Sequence, residues 1–372
     1  MLATLLTAEY LEGTATNGHP ETAVEVAAFD EFAAPVEPNN TLSTIIRFHK
    51  PERLPLLQEA LFSLAIQSWR DHEIVIMVQN GTDEIKRAIL EIVDLQPWSK
   101  HSRQKIVSVD IAQGVDGRST LLNRGIEQAT GRYLAFLDDD DLIYHHGYVT
   151  LIQQLREGGG AMALGGCRMA RAQYLSDHWY IRSKETPFAW GRTRMDLLRD
   201  NFVPIHSYVI DRSRVSPVDL YFDDELPPLE DYDFLLRLCA KYDFDFSQLD
   251  TPVCEYRIHG LNSLPYDANA PLESHVSHTR AQQLITERKK TLICSLPIGE
   301  LVDMECRLID FQQQIAVLKQ QIAHEQDRFL NSATRKIYSF FGRFPNVESR
   351  ISRSVHSGWA LYRRVKAIDD SR

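Results

Sequence analysis

The sequence predicts an α/β protein built on a Rossmann-like, mostly parallel central sheet and followed by a helical coiled coil. Apolar runs of strand length alternate with helical periods at the spacing of βαβ units. One of them, Tyr133-Leu134-Ala135-Phe136-Leu137, is continuously apolar, as a strand buried on both faces should be. It ends in Asp138, Asp139, Asp140 and Asp141, at the strand edge where open α/β sheets hold ligands. Four adjacent carboxylates repel one another and resist burial unless compensated. A divalent cation carrying a diphosphate would neutralise them, and hard oxygen donors suit Mg²⁺ or Mn²⁺. The plainer alternative is a solvated acidic turn that caps the next helix.

Residues 1–40 hold seven acids and no Lys or Arg, with Pro20, Pro35 and Pro38 and no sustained period. They read as a weakly structured extension. Regular structure starts with the strand Leu42–Phe48. Pro51 then opens a helix with Leu54, Leu57, Leu61 and Leu64 on one face. A second strand, Glu73–Val78, stops at the turn Gln79-Asn80-Gly81-Thr82. A helix over 83–94, a strand Ile106–Val109 and a helix Ser119–Ala129 ended by Thr130-Gly131 lead into the aspartate strand. Between 160 and 275 the rhythm is irregular and rich in Trp, Tyr and Arg, as expected of a specificity region. A helix over 231–242 stands out within it.

Leu301, Met304, Leu308, Phe311, Ile315, Leu318 and Ile322 recur at alternating spacings of three and four, and Phe329 keeps the phase. That is a coiled-coil seam over about 301–329, predicting a homo-oligomer; a long helix folded back on the domain is the alternative. The expected organisation is an extension over 1–40, a domain over 41–275, a helical segment over 276–330 and a tail over 331–372. The tail carries nine Lys or Arg against three acids, interleaved with aromatic residues. It suits peripheral contact with an anionic membrane, the acidic extension of a neighbouring chain, or a solvated helical face.

The net charge of −10 argues against non-specific nucleic-acid binding. Five scattered cysteines without CxxC spacing fit reduced thiols better than a disulfide frame or zinc site. No run of about 18 apolar residues suggests a membrane span. The first residues lack a signal-peptide pattern. The expected location is cytoplasmic, with the inner face of the cell membrane open to it through the tail.

Six landmarks in order carry a resemblance. They are Ser43-Thr44-Ile45-Ile46 before Pro51, Glu73–Val78 before Asn80-Gly81, and Gly117-Arg118-Ser119 with Asn123-Arg124-Gly125-Ile126. Ala129-Thr130-Gly131-Arg132-Tyr133 then runs into the aspartates, followed by Leu229-Glu230-Asp231-Tyr232-Asp233 and Tyr256-Arg257-Ile258-His259. Over about residues 42–260 the chain resembles the family 2 glycosyltransferases of GT-A fold. The resemblance implies a metal-dependent, inverting transferase that moves a sugar from a nucleotide-sugar donor to a glycan or lipid-linked acceptor, in surface polysaccharide synthesis. The family's DxD motif falls on Asp138 and Asp140, with Asp138 at the nucleotide or metal and Asp140 on the metal, Mn²⁺ or Mg²⁺. Asp139 is secondary at the donor site. Asp231 matches the family's general base, with Glu230 orienting it or the acceptor. His259 matches a position where some relatives supply a metal or diphosphate ligand, and His206 lies where relatives approach the acceptor.

Departures accompany the match. Arg47-Phe48 stand where many relatives have Pro-Thr, and Gln79-Asn80 replace an acidic pair that receives a base N–H. An amide oxygen accepts the same bond, so Arg47, Gln79, Asn80 and Arg118 remain candidate donor contacts without a base preference. The rival reading is a catalytically degenerate GT-A scaffold that dimerises through its coiled coil and binds a partner or glycan.

Overall fold

The computed structural model describes residues 40–175, 178–186, 188, 190–226, 228–259 and 272–341. Nearly all of the acidic extension and residues 342–372 of the basic tail lie outside the described residues. The chain divides into two compact units, Met1–Cys294 and Ser295–Arg372.

In the first unit the strands are β1 (Leu42–Phe48), β2 (His72–Gln79), β3 (Arg103–Val109), β4 (Tyr133–Asp138), β5 (Leu142–Ile143), β6 (Met162–Leu175), β7 (His178–Glu185), β8 (Tyr208–Asp211) and β9 (Phe244–Ile258). The helices are α1 (Leu54–Ala65), α2 (Asp83–Asp94), α3 (Arg118–Gln128), α4 (Gly147–Gly158), α5 (Arg194–Arg199), α6 (Glu230–Lys241) and α7 (Leu272–Thr291). One sheet runs in the order β3-β2-β1-β4-β8-β6-β9-β5, with β7 on β6. The stretch β3-β2-β1-β4 is parallel, as its alternation with helices requires. Beyond β4 the sheet is mixed: β8 is antiparallel to both β4 and β6, whereas β6 and β9 run parallel.

The irregular stretch after residue 160 therefore holds four strands that alternation did not reveal. Register shifts in the β6–β9 ladder, around Gly165 and Gly166, break the period-two pattern.

Apolar layers cover both faces of the sheet. β1 sends Ile45 into one and Leu42, Ile46 and Phe48 into the other. α3 lies so close to β1 that a Cβ on Gly125 would stand 2.4 Å from Ile45 Cγ2, so only glycine fits there. From α3, Asn123 exchanges two hydrogen bonds with the main chain of Phe222, at 2.7 and 2.8 Å, fixing the segment that leads to α6. α7 braces α6 from outside. Ala281 and Ile285 are buried, and Arg288 lies 2.6 Å from Asp223 and 2.8 Å from Asp233. These contacts extend the unit to Cys294, past the boundary at 275 read from the sequence.

The second unit, described by itself, carries the 44-residue helix α8 (Ile298–Phe341). Its seam residues are exposed, from 38% at Met304 to 73% at Phe329.

The amino ends of β1, β2 and β4 are pinned by Glu73, which is 1% exposed. Its carboxylate accepts from the Ser43 hydroxyl, the Thr130 N–H at 2.7 Å and the Thr130 hydroxyl at 2.9 Å, with Lys105 Nζ at 2.8 Å. Burial pushes its pKa up, but Lys105, Ser43 and Thr130 outweigh that and bring it from 4.5 down to about 2. Glu73→Gln should therefore lower stability at pH 7 by about 1.5–3 kcal/mol, the scale of hydrogen bonds to a charge. Because the folded pKa is depressed, this contribution is present above pH 4.5 and lost as pH falls through about 2. Urea titrations of both proteins at several pH values check this: their midpoints should converge as acid is added, and a gap independent of pH would contradict it.

Candidate active site

The carboxyl edge of the parallel strands gathers the acidic residues. Arg47 of β1 lies beside Asp138 of β4 in register. Its Nε is 2.7 Å from Asp138 Oδ1, and its Nη1 is 2.8 Å from Glu230 Oε1. One guanidinium thus ties the aspartate strand to the first turn of α6. Leu229, just before that turn, has φ of +66°. A left-handed conformation costs an ordinary residue roughly 1–2 kcal/mol. Here it lets α6 begin with Glu230 against Arg47 and Asp231 beside it. Arg118, at the start of α3, pairs with Asp116 at 2.6 Å and reaches within 3.8 Å of Glu230.

A second cation serves the next two aspartates. Arg53, in the 3₁₀ turn Pro51–Arg53, places Nη2 2.6 Å from both Asp139 Oδ1 and Asp140 Oδ2. His259, just past β9, brings Nε2 to 3.0 Å from Asp140 Oδ2. Asp141 accepts the Arg257 N–H at 2.7 Å and lies 3.2 Å from His206 Nδ1.

These surroundings separate the aspartates electrostatically. Burial pushes Asp138 up, but Arg47 overrides it and holds the carboxyl below its ordinary value. Burial dominates at Asp139 and Asp141 and drives both well above it, against Arg53 at the first and His206 at the second. Asp231 is half-buried and accepts the Tyr232 N–H at 2.7 Å. Burial, reinforced by the charge of Glu230, raises it to about 6.

The donor set fits a hard divalent cation. Asp138, Asp140 and His259 offer oxygen and imidazole nitrogen, while the neighbouring Asp139 Oδ2 is buried without a hydrogen-bond partner. Arg53, shared between two carboxylates, supplies only one positive charge there.

The other sequence candidates fall in different places. Gln79 closes β2 with its amide oxygen beside Gly117, where a Cβ would stand 3.0 Å from it. Asn80, at φ +50°, spends its side chain on Ile111, donating to its carbonyl at 3.0 Å and accepting its N–H at 2.7 Å. His206 is 1% exposed and faces Asp141 and Cys167, so in this structure an acceptor does not reach its ring. The Arg257 guanidinium pairs with Glu59 and Glu255.

Sequence reasoning missed Arg53. Its signal was available: β1 and β4 are parallel neighbours, so basic residues just after one meet acids just after the other.

Residues 43–211 match the model for Glycosyl transferase family 2. The likeness to this family lies in that stretch, somewhat under half of the chain. Among curated family relatives, the GalNAc(5)-diNAcBac-PP-undecaprenol beta-1,3-glucosyltransferase of Campylobacter jejuni is 30% identical over 124 residues, 33% of this chain and 38% of that protein. The amylovoran biosynthesis glycosyltransferase AmsB of Erwinia amylovora is 24% identical over 196 residues, 52% of this chain and 62% of AmsB. The alignments thus span under two thirds of either relative's length. Among solved structures, TarS 1-349 of S. aureus in complex with UDP is similar at a TM-score of 0.45 and 17% identity, over 59% of this chain and 60% of that one.

Within the matched stretch the position of Arg47 gives a direct test. Removing one partner from a buried ion pair costs about 3–5 kcal/mol, because the remaining charges are left uncompensated. Arg47→Met keeps length and loses charge, so its urea midpoint should fall accordingly, and added Mn²⁺ should recover part of the loss. An unchanged midpoint would mean that Arg47 does not discharge Asp138 and Glu230.

Proposed function

We propose that the chain is a metal-dependent, inverting glycosyltransferase acting on a nucleotide-sugar donor and a glycan or lipid-linked hydroxyl acceptor. The observation that carries this reading is the bridge from Asp138 through Arg47 to Glu230, which sets the donor-side carboxylates beside the helix start that bears Asp231. The match of residues 43–211 to the model for Glycosyl transferase family 2 supports the class of reaction. The lipid-linked acceptor is supported by the activity of the Campylobacter relative and the polysaccharide role by that of AmsB.

Asp138, Asp140 and His259 would hold Mn²⁺ or Mg²⁺, which when bound stabilises negative charge on the departing nucleoside diphosphate. Asp231 removes the proton from the acceptor hydroxyl as its oxygen attacks the anomeric carbon. The displaced diphosphate leaves on the opposite face, which inverts the configuration. Glu230, held by Arg47 and near Arg118, orients the helix start and keeps Asp231 basic. A base near pKa 6 is ionised at neutral pH yet still able to take a proton. Arg118 remains a donor contact at the cleft rim, its side chain 40% exposed. Gln79 would meet the base at the turn that Asn80 fixes through its bonds to Ile111.

α8 supplies the proposed means of association, pairing with a second copy along its exposed apolar seam. Peripheral membrane contact through 331–372 rests on composition. No described helix is long and apolar enough to cross a membrane.

Asp231→Asn preserves shape and removes the base, so transfer should fall on the order of 10²–10⁴-fold while donor affinity stays near that of the parent. The parent rate should drop as pH falls through about 6, since the base works only when ionised. Steady-state rates against pH, with donor binding by calorimetry, check both; transfer at the parent rate would place the base elsewhere. Leu308→Glu combined with Leu318→Glu puts charge into the seam and should yield monomers by light scattering. A parent chain already monomeric at micromolar concentration would contradict the pairing.

A further inference from the structure

Behind the aspartate turn lies a second cluster that the transfer reaction does not use. Cys167 on β6 and Cys254 on β9 are direct register partners on adjacent parallel strands. His206, just before β8, approaches them from a third segment. One ligand atom from each of the three lies within 4.8 Å of the others, and all three residues are buried. We propose that Cys167, His206 and Cys254 form a binding site for a soft divalent cation, best matched by Zn²⁺.

The Cys167–His206 spacing matches a tetrahedral centre. Zinc bonds of about 2.3 Å to sulfur and about 2.0–2.1 Å to nitrogen set the two ligands roughly 3.5 Å apart. The Cys167 Sγ to His206 Nε2 distance is 3.7 Å. The far side of the imidazole has the partner such a site needs. Histidines that bind metals through one nitrogen commonly present the other to a carboxylate, which fixes the tautomer. His206 Nδ1 lies 3.2 Å from Asp141 Oδ2, yet neither atom makes a well-formed hydrogen bond. The ring is held in plane by Tyr256, stacked at 6.0 Å with a 6° interplanar angle.

Ligand chemistry agrees. Burial pushes the Cys167 thiol up, but Cys254 and His206 lower it. Burial holds Cys254 up, and Asp141 outweighs burial at His206 and raises it to about 9. Metal binding would therefore displace protons from Cys254 and His206. Two thiolates and a neutral imidazole would discharge Zn²⁺, which suits a buried position. Cys167 also lines a cavity of about 240 Å³ with Gly165, Gly166, Phe202 and Pro204, giving room for water at the fourth position. Two soft sulfur donors select against Mn²⁺ and Mg²⁺, so this centre is chemically separate from the acidic cluster. It would brace β6, β9 and the approach to β8 against Asp141.

The test uses the full chain, expressed with zinc and desalted without chelator, with metal measured by mass spectrometry. About one zinc per chain should be retained and should leave on treatment with a thiol-directed mercurial. Cys167→Ser with Cys254→Ser should hold under roughly a tenth of that, whereas Asp140→Ala should keep it. In case the double variant does not fold, Co²⁺ loaded into the unaltered chain gives a second readout, a thiolate-to-cobalt charge-transfer band in the near ultraviolet. Absence of both zinc and the band would overturn the proposal. So would a Cys167–Cys254 disulfide in non-reducing peptide maps, or zinc retained undiminished by a folded double variant.

Discussion

The site depends on one guanidinium. Arg47 stands at the end of a central strand, in register with Asp138, and grips that carboxylate and Glu230 together. The two acids come from positions 92 residues apart and would repel each other if brought together alone. Such a bridge contributes little net stability relative to an apolar core, because desolvation offsets most of the attraction. Its value is geometric. With Arg47 in place, α6 can start against β4 despite the left-handed Leu229, and Asp231 enters the same electrostatic field as Asp138.

The same field explains how four consecutive aspartates avoid behaving as one. Each meets a different neighbour: Arg47 at Asp138, Arg53 at Asp139, Arg53 and His259 at Asp140, and Arg257 N–H with His206 at Asp141. Where an arginine contact prevails over burial, the carboxyl stays ionised; where burial prevails, its affinity for a proton rises. Asp138 is thereby held as a carboxylate at the carboxyl edge of the parallel strands. Asp141 is tied into the interior, to β9 and to His206.

Much of this was legible in the chain. β1 occupies the residues read as the first strand, and the long apolar run became β4 with aspartates at the ligand edge, because a strand buried on both faces leaves a clear pattern. His259 proved to touch Asp140. Less visible were the pairings that depend on tertiary approach. Arg47 looked like a departure from the expected Pro-Thr and turned out to join two acidic segments. Asn80 looked available to a nucleotide base but is held by Ile111, since its positive φ brings the amide to that main chain. The cysteines, scattered in sequence, meet because β6 and β9 align them, and spacing along the chain carries no trace of a cross-strand register.

The central claim is that the Arg47-pinned acids form a cation and nucleotide-diphosphate site. Crystals grown with Mn²⁺ and UDP, measured at the manganese edge, test it most directly. The account predicts an anomalous peak against Asp138 and Asp140, with His259 beside it and Arg53 displaced from Asp140. A manganese peak confined to other acids, or bound UDP with no peak at this cluster, would contradict it.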